Sequence, residues 1–174
     1  MTATNSEPTK IEAVLDLGTV DLSQGESAIQ RVLAQGISFT SLAEEASRNP
    51  DHLLCLYGLA LVVHVKPDWT LEEYLERFDN WKTIFIARSE SNYVGYSYMI
   101  KSQGISCEIC QCMTGVRPQN RRQGIATALK WKGISYALSQ SYRFIRTGFS
   151  SKNCASRSMN LKVGFRLIED AESK

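Results

Sequence analysis

Residues 114–128 read TGVRPQNRRQGIATA and carry the residue types that bind a phosphate group. A β-prone apolar run precedes them, and a helix-forming run begins near their end. The first N–H groups of a helix have no partner within the helix and carry the positive end of its dipole. Gly124 and Ala126 allow an anion to approach the backbone closely, and Arg121 and Arg122 add charge. The stretch predicts an anion site, although an ordinary turn with solvated arginines would use the same residues.

Two common phosphate loops are excluded by their glycine patterns. A P-loop needs Gly-x-x-x-x-Gly-Lys-Ser/Thr, and a dinucleotide fingerprint needs three glycines that open the helix. Neither pattern occurs in the sequence. The stretch instead contains Arg121-x-x-Gly124-x-Ala126, preceded by Val116-x-Pro118. It resembles the acyl-CoA loop, Gln/Arg-x-x-Gly-x-Gly/Ala, of the GNAT superfamily of N-acetyltransferases.

A second motif follows at the distance that this family leads us to expect. Residues 153–165 read NCASRSMNLKVGF and resemble the GNAT segment Asn-x-x-Ala…Tyr-x-x-x-Gly-Phe, a helix that ends at Gly-Phe. Asn153 stands where the family has an Asn that contacts CoA, whereas Asn160 replaces the family's Tyr. That Tyr is thought to protonate the leaving thiolate, and an Asn has no titratable proton to give. Taken alone, the segment would also suit a plain amphipathic helix with a Gly C-cap.

The resemblance covers residues 37–168 and implies a fold, a cosubstrate and a set of ligand contacts. The implied fold is α/β (mixed α+β), a GNAT-like splayed, mixed central sheet flanked by helices, here with an extra N-terminal βα segment. Acetyl-CoA is the implied cosubstrate, with its pyrophosphate on the loop amides. The pattern is similar in particular to the C-terminal half of tandem-domain GNAT proteins, where Asn also tends to replace the Tyr. The residues that the resemblance assigns to the cosubstrate are Thr114, Gly115, Val116, Arg121, Arg122, Gln123, Gly124, Ile125, Ala126, Thr127, Asn153 and Asn160.

Acetyl transfer to an amine needs a base and a fixed donor for the developing oxyanion. The N–H of Thr114 or Gly115, at the end of the strand, is the natural donor. Glu108 is the carboxylate that we favour as the base, because period-two alternation over six residues places it on the same face as Thr114. An exposed acid at the strand end is the alternative interpretation of Glu108. The catalytic candidates are thus Glu108 and Asn160, with Glu44, Glu45, Glu72 and Glu73 as weaker carboxylates.

The resemblance divides the chain into a short N-terminal part and one larger domain. Residues 1–36 are predicted to form a tail plus a βα extension, and residues 37–174 the acetyltransferase domain. The predicted strands are 11–17, 37–40, 83–87, 93–100, 107–113, 144–148 and 165–168. The predicted helices are 25–35, 51–66, 71–78, 125–140 and the second motif, with a helical turn within 41–47.

The two ends of the chain are predicted to meet in the sheet. A GNAT sheet normally finishes with two strands after the Gly-Phe, whereas only residues 166–174 follow Phe165. An empty place would leave backbone groups unpaired. We therefore expect strand 11–17 to fill it, from the same chain or from a second subunit. The unusually apolar helix 51–66 would suit a subunit contact, so a homodimer is one of the two arrangements.

Composition narrows the classes of partner. A net charge of +2 over 174 residues gives no case for bulk nucleic-acid or membrane binding, and the arginine cluster lacks neighbouring aromatic platforms. The odd count of five cysteines behind a polar N-terminus favours a cytoplasmic protein with reduced thiols. Cys107-x-x-Cys110 has no second pair, so we expect no metal.

Two functions stay open at this stage. The first is an acetyl-CoA-dependent N-acetyltransferase that acts on the amine of a small molecule or peptide by direct attack in a ternary complex. The second is a degenerate GNAT domain that binds acyl-CoA or a protein partner without catalysis. The sequence does not identify the acceptor, because the early helices that shape acceptor pockets in this fold are variable.

Overall fold

The computed structural model describes residues 8–63, 70–75 and 83–168. Its strands are β1 Lys10–Asp16, β2 Ile37–Ser41, β3 Ile84–Ser89, β4 Asn92–Lys101, β5 Glu108–Val116, β6 Phe144–Ser150 and β7 Arg166–Leu167. Its helices are α1 Leu22–Leu33, α2 Leu42–Ala46, α3 His52–Val63, α4 Leu71–Leu75, α5 Ile125–Ser139 and α6 Cys154–Val163. The sequence predicted that the helices corresponding to α3 and α4 end at residues 66 and 78, and both of these positions lie outside the described residues. No helix in the described ranges is long and apolar enough to cross a membrane.

The strands of the described residues form one mixed sheet, with the order β2-β3-β4-β5-β6-β1-β7. Strands β2 to β5 are antiparallel to their neighbours, whereas β5 and β6 are parallel and are joined through α5. A parallel pair needs such a crossover connection. The predicted mixed α/β sheet with flanking helices is therefore confirmed.

The N-terminal strand lies inside the sheet and belongs to the same chain. β1 pairs antiparallel with β6 along its whole length, from Lys10 opposite Ser150 to Asp16 opposite Phe144. Its other edge pairs with the short β7, where Val14 lies opposite Arg166. The expected pairing near residues 165–168 is confirmed, and it is made in cis.

Helices cover both faces of the sheet. α5 packs on one face, with α1 against its outer side, and α3 packs on the other face. The α1–α5 contact is close because Gly25 has no side chain, and a Cβ there would lie 2.5 Å from the Trp131 ring. Leu56 and Leu59 of α3 are fully buried against Tyr96 of β4. This arrangement fixes α5 over the centre of the sheet, where the candidate site begins.

Candidate active site

The sheet opens between its two parallel strands. β5 and β6 pair from Glu108 opposite Phe144 to Gln111 opposite Thr147, and no pair follows. Both strands continue beyond that point, β5 to Val116 and β6 to Ser150. On this edge Val116 O accepts from Arg121 Nε at 3.1 Å. The other backbone groups that residues 112–116 present there have no partner on β6, so among the described residues they are open to a ligand. We call the opening beside residues 112–116 the slot, and Gln111 marks its closed end.

A β-bulge shifts the faces of β5. Tyr98 of β4 pairs with Met113, but the next residue, Met99, pairs with Gln111, so Cys112 is an extra residue in β5. Such an insertion reverses the alternation beyond it. Thr114 therefore shares the α5 face with Gln111, and Glu108 points to the opposite face. The prediction that Glu108 and Thr114 share a face is wrong, because it assumed an uninterrupted strand.

Glu108 is held by neighbouring side chains at the far end of β5. Its carboxylate accepts hydrogen bonds from Arg146 Nε at 3.1 and 3.2 Å and from Ser102 Oγ at 2.9 Å. The residue is 5% exposed, so it is not the solvated acid of the alternative interpretation. Arg146 also donates to the exposed Glu12 at 3.2 Å. The role of Glu108 as the base stays a prediction. Its hydrogen bonds with Arg146 engage both carboxylate oxygens, so the carboxylate is less free to accept a proton.

The loop after β5 presents the uncapped start of a helix. Gly124 is the N-cap of α5 and has φ +84°, and no side chain of the described residues caps the helix. The N–H groups of residues 125–127 lie in the first turn, which has no intrahelical acceptors. Arg122 also has a positive φ, of 64°, which is uncommon for a residue with a side chain. Two left-handed residues around Gln123 turn the backbone sharply ahead of α5, as an anion-binding loop requires.

Two arginines of the loop bind backbone carbonyl groups, and a third is exposed to solvent. Arg117 Nε donates to Tyr93 O at 2.7 Å, and Arg121 Nε donates to Val116 O at 3.1 Å. These bonds tie the loop to the ends of β4 and β5. The Arg122 side chain is exposed beside the first turn of α5. The charge that the sequence predicted for this loop is therefore present there.

The second motif forms α6 with the ends that the sequence predicted. Asn153 is the N-cap, and its Oδ1 accepts from Ser156 N at 3.0 Å. Gly164, with φ +107°, ends the helix. Asn160 is 1% exposed, and its Nδ2 lies 3.4 Å from Ser156 Oγ. Its Oδ1 is buried and has no partner among the described residues, which leaves one acceptor for a ligand.

A buried lysine connects α5 to the closed end of the slot, and our sequence analysis did not identify it. Lys130 is 2% exposed, and its Nζ donates to Gln111 Oε1 at 2.6 Å. Gln111 Nε2 donates to Ser97 Oγ at 3.1 Å, and Ser97 Oγ lies 3.0 Å from Thr114 Oγ1. Burial lowers the pKa of Lys130 to about 7. The spacing along the helix could have predicted this burial, because Lys130 lies one helical turn before Ile134 and therefore on the same buried face.

A cavity of about 750 Å³ lies on the other side of the closed end. Its wall includes Tyr98, Cys110 and Glu108 from the central strands, and Tyr136 and Tyr142 from the end of α5 and the turn after it. Cys110 directly precedes Gln111, so the cavity and the slot meet near the same point of β5. The described residues thus provide an anion loop, a slot and a cavity in sequence along one strand.

Comparison with known proteins identifies the family and supports the fold. The model of the acetyltransferase (GNAT) family matches residues 49–165. No curated protein matches the sequence. Among solved structures, a GCN5-related N-acetyltransferase from Sphaerobacter thermophilus has 16% identity and a TM-score of 0.67, over 92% of this chain and 49% of that one.

Two further structures show the same fold. A tandem GNAT protein from the clavulanic acid biosynthesis pathway has 19% identity and a TM-score of 0.65, over 92% of this chain and 51% of that one. The diaminobutyrate acetyltransferase EctA from Paenibacillus lautus has 23% identity and a TM-score of 0.56, over 72% and 73% of the two chains. The chain covers about half or less of several of these structures, down to 20% of a fungal multi-domain enzyme.

Proposed function

The chain belongs to the acetyltransferase (GNAT) family, and from this we propose that it transfers the acetyl group of acetyl-CoA to the amine of a small molecule or peptide. The observation that carries the proposal is the uncapped N-terminus of α5 beside the open edge of β5. A helix start of this kind binds anions, and the open strand edge offers hydrogen bonds to an extended ligand. Acetyl-CoA contains both an anionic and an extended part.

The residues fit the cosubstrate in three places. The loop amides of Arg122 to Thr127 would hold the pyrophosphate, with Gly124 leaving room for it. The free edge of residues 112–116 would bond the amides of the pantetheine arm. The buried and unpartnered Oδ1 of Asn160 is a further acceptor for an N–H of the ligand. No described side chain already caps the loop, so the anion would not have to displace one.

Acetyl transfer would proceed by direct attack of the amine on the thioester carbon. The N–C bond forms, the C–S bond breaks, and the electron pair of that bond leaves with sulfur. Of the two candidate donors, the N–H of Thr114 would stabilise the oxyanion, since it lies beyond the last β5–β6 pair. Arg117 N donates to Val94 O of β4, so by alternation Gly115 N–H faces β4 and Thr114 N–H faces the open edge. The amine would enter from the 750 Å³ cavity, whose wall includes Cys110, the residue before Gln111. Glu108, on that wall, is the proposed base.

A second function is favoured by two residues. Asn160 has no titratable proton for the leaving thiolate, and Glu108 is already paired with Arg146. A domain that binds acyl-CoA without turnover would need neither group. This function and the first share the loop and the slot and differ only in the chemical step.

The experiment that separates the two functions is an acetylation assay over a panel of amines. Purified protein is incubated with acetyl-CoA and primary amines, diamines, amino acids and peptides with free N-termini. Free thiol and the mass of the acetylated product are both measured. Catalysis predicts stoichiometric thiol and acetylated amine for one class. Acetyl-CoA binding with no product from any class would support the second function instead.

A further inference from the structure

Lys130 is a charged side chain that the proposed reaction does not yet use. Its Nζ contacts Gln111 Oε1 and lies 5.2 Å from the centre of the Phe165 ring. Glu26 and Arg31 of the neighbouring α1 are exposed, and within the described parts of the chain no carboxylate pairs with Lys130. A buried cation without a counter-charge is unfavourable. Its site therefore suits a ligand that brings negative charge.

The contacts of Lys130 lead to the slot and not to the surface. Gln111 is the last residue at which β5 and β6 pair, and its carbonyl also accepts from Thr147 Oγ1 at 2.9 Å. The Gln111 side chain also donates to Ser97 Oγ, which lies 3.0 Å from Thr114 Oγ1 on the far side of the bulge. Ser97 Oγ also donates to Met113 O at 3.0 Å, so these bonds lead from the ammonium onto residues 113 and 114 of β5. Each hydrogen bond polarises the next, so the charge of Lys130 acts on the strand that borders the slot.

The sulfur of a bound CoA would arrive at that end. This step rests on the proposed function, which puts the pyrophosphate at the loop that follows Val116. Strand residues are spaced at about 3.3 Å, so the stretch from Val116 to Gln111 spans about 17 Å. An extended pantetheine arm that begins at the loop beyond Val116 and follows β5 would therefore place its thiol between Thr114, the proposed oxyanion donor, and Gln111.

We propose that Lys130 is a positioning residue that acts through Gln111 and Ser97 to stabilise negative charge on the sulfur of CoA. The need for this charge follows from the chemistry. When the amine forms its bond to the acetyl carbon, the C–S electron pair leaves as a thiolate, while the proton of the amine goes to the base. Asn160 offers no proton to that thiolate. A buried ammonium lowers the free energy of the thiolate without transferring a proton.

The electrostatics of the site agree with this role. Burial lowers the pKa of Lys130 to about 7, so the free protein holds this group near the midpoint of its titration at neutral pH. A thiolate near the Gln111 side of this hydrogen-bond chain would favour the charged form of the lysine, and the charged lysine would favour the thiolate. An ordinary thiol has a pKa of about 8.5. The two groups therefore stabilise each other's ionised forms within the physiological range.

The test measures the thiol pKa of CoA bound to the intact protein. Thiolate absorbance in the ultraviolet is titrated for the CoA complex, and the S-methyl-CoA complex is subtracted to remove the protein's own cysteines. The variants are Lys130→Met, which removes the charge, and Gln111→Glu, which supplies a counter-charge at the same length. Lys132→Met, two residues further along α5, is the matched control.

In the wild type and in Lys132→Met, the bound thiol is expected to titrate about one unit below its ordinary pKa, a tenfold gain in thiolate. In Lys130→Met and Gln111→Glu it is expected at or above that value, because the slot then only desolvates the sulfur. Unchanged titration in both variants, or an unshifted thiol in the wild type, would overturn the inference. Failure of the wild type to bind either CoA or S-methyl-CoA would instead refute the proposed function.

Discussion

The Nζ of Lys130 lies 2.6 Å from Oε1 of Gln111, and this bond joins the buried face of α5 to the point where β5 and β6 part. On the proposed function, this bond connects two features of α5 that would contact different ends of a bound acyl-CoA. The start of the helix would bind the pyrophosphate through its backbone N–H groups, and Lys130 in the second turn would place a charge near the thiol.

The pH dependence of stability should carry the signature of Lys130. The pKa of Lys130 is about 7 in the folded protein, whereas its ordinary value is 10.5. Between pH 7 and pH 10.5 the lysine is therefore protonated in the unfolded chain and largely neutral in the folded one. Stability should therefore rise with pH from about 7 to about 10.5, and the charged lysine is most unfavourable below about 7. The upper bound of this term is on the order of 5 kcal/mol.

Lys130→Met should flatten that rise, and Lys132→Met should keep it. Urea unfolding at several pH values, followed by circular dichroism, measures both. Equal slopes in the two variants would show that Lys130 does not titrate in this range.

The glycine positions show how local chemistry made parts of the site predictable. Gly124 and Gly164 both adopt a positive φ at the ends of helices, where glycine has no steric penalty. The alternating apolar pattern of residues 11–17 likewise predicted a strand where β1 lies. These features depend on short-range rules, so the sequence alone contains them.

Two other features depend on contacts between distant elements. The face of Glu108 follows from the bulge at Cys112, which exists only in the pairing of β5 with β4. The burial of Lys130 follows from the packing of α5 on the sheet, because a lysine in a helix is usually solvated. Period-two and period-3.6 patterns describe single elements and contain no information about either contact.

Asn160 should influence the leaving group without donating a proton. Asn160→Tyr adds a group that can protonate the thiolate, so turnover should stay similar or rise. Asn160→Ala should lower turnover modestly, because one buried ligand contact is lost. Steady-state rates with the best amine measure both. A large loss in Asn160→Tyr, in a variant that unfolds normally, would indicate that Asn160 instead holds substrate or a water molecule.

The role of Glu108 as the base can be tested with Glu12 as the control, because both carboxylates bind Arg146. Glu108→Gln should lower kcat by about a hundredfold if the carboxylate is the base, since general base catalysis contributes about that much or more. Glu12→Gln removes the other carboxylate on Arg146 and lies outside the cavity wall, so kcat should stay near the wild-type value. Similar kcat values for the two variants would remove Glu108 from the mechanism.

Deletion of residues 1–18 should be far more damaging than deletion of residues 1–7. The longer deletion removes β1, which pairs with β6 and β7 and contributes the buried Ala13 and Leu15. It would leave an unpaired edge on β6 in the middle of the sheet. Solubility and thermal midpoint measure the effect. A longer deletion that is as stable as the shorter one would contradict the observed strand order.

The central claim is that the backbone turn at Gly124 receives the pyrophosphate of acetyl-CoA, and calorimetric binding tests it most directly. Gly124→Val puts a branched side chain where the anion would sit, at a φ of +84°. Gly36→Val introduces the same strain, at a φ of +78°, with nothing within 4 Å of its Cβ and outside the loop, so it controls for backbone strain. Acetyl-CoA should bind the wild type and Gly36→Val, and binding to a folded Gly124→Val should fall at least about a hundredfold, as expected for loss of several charge-assisted hydrogen bonds. Equal affinity for all three proteins would contradict the account.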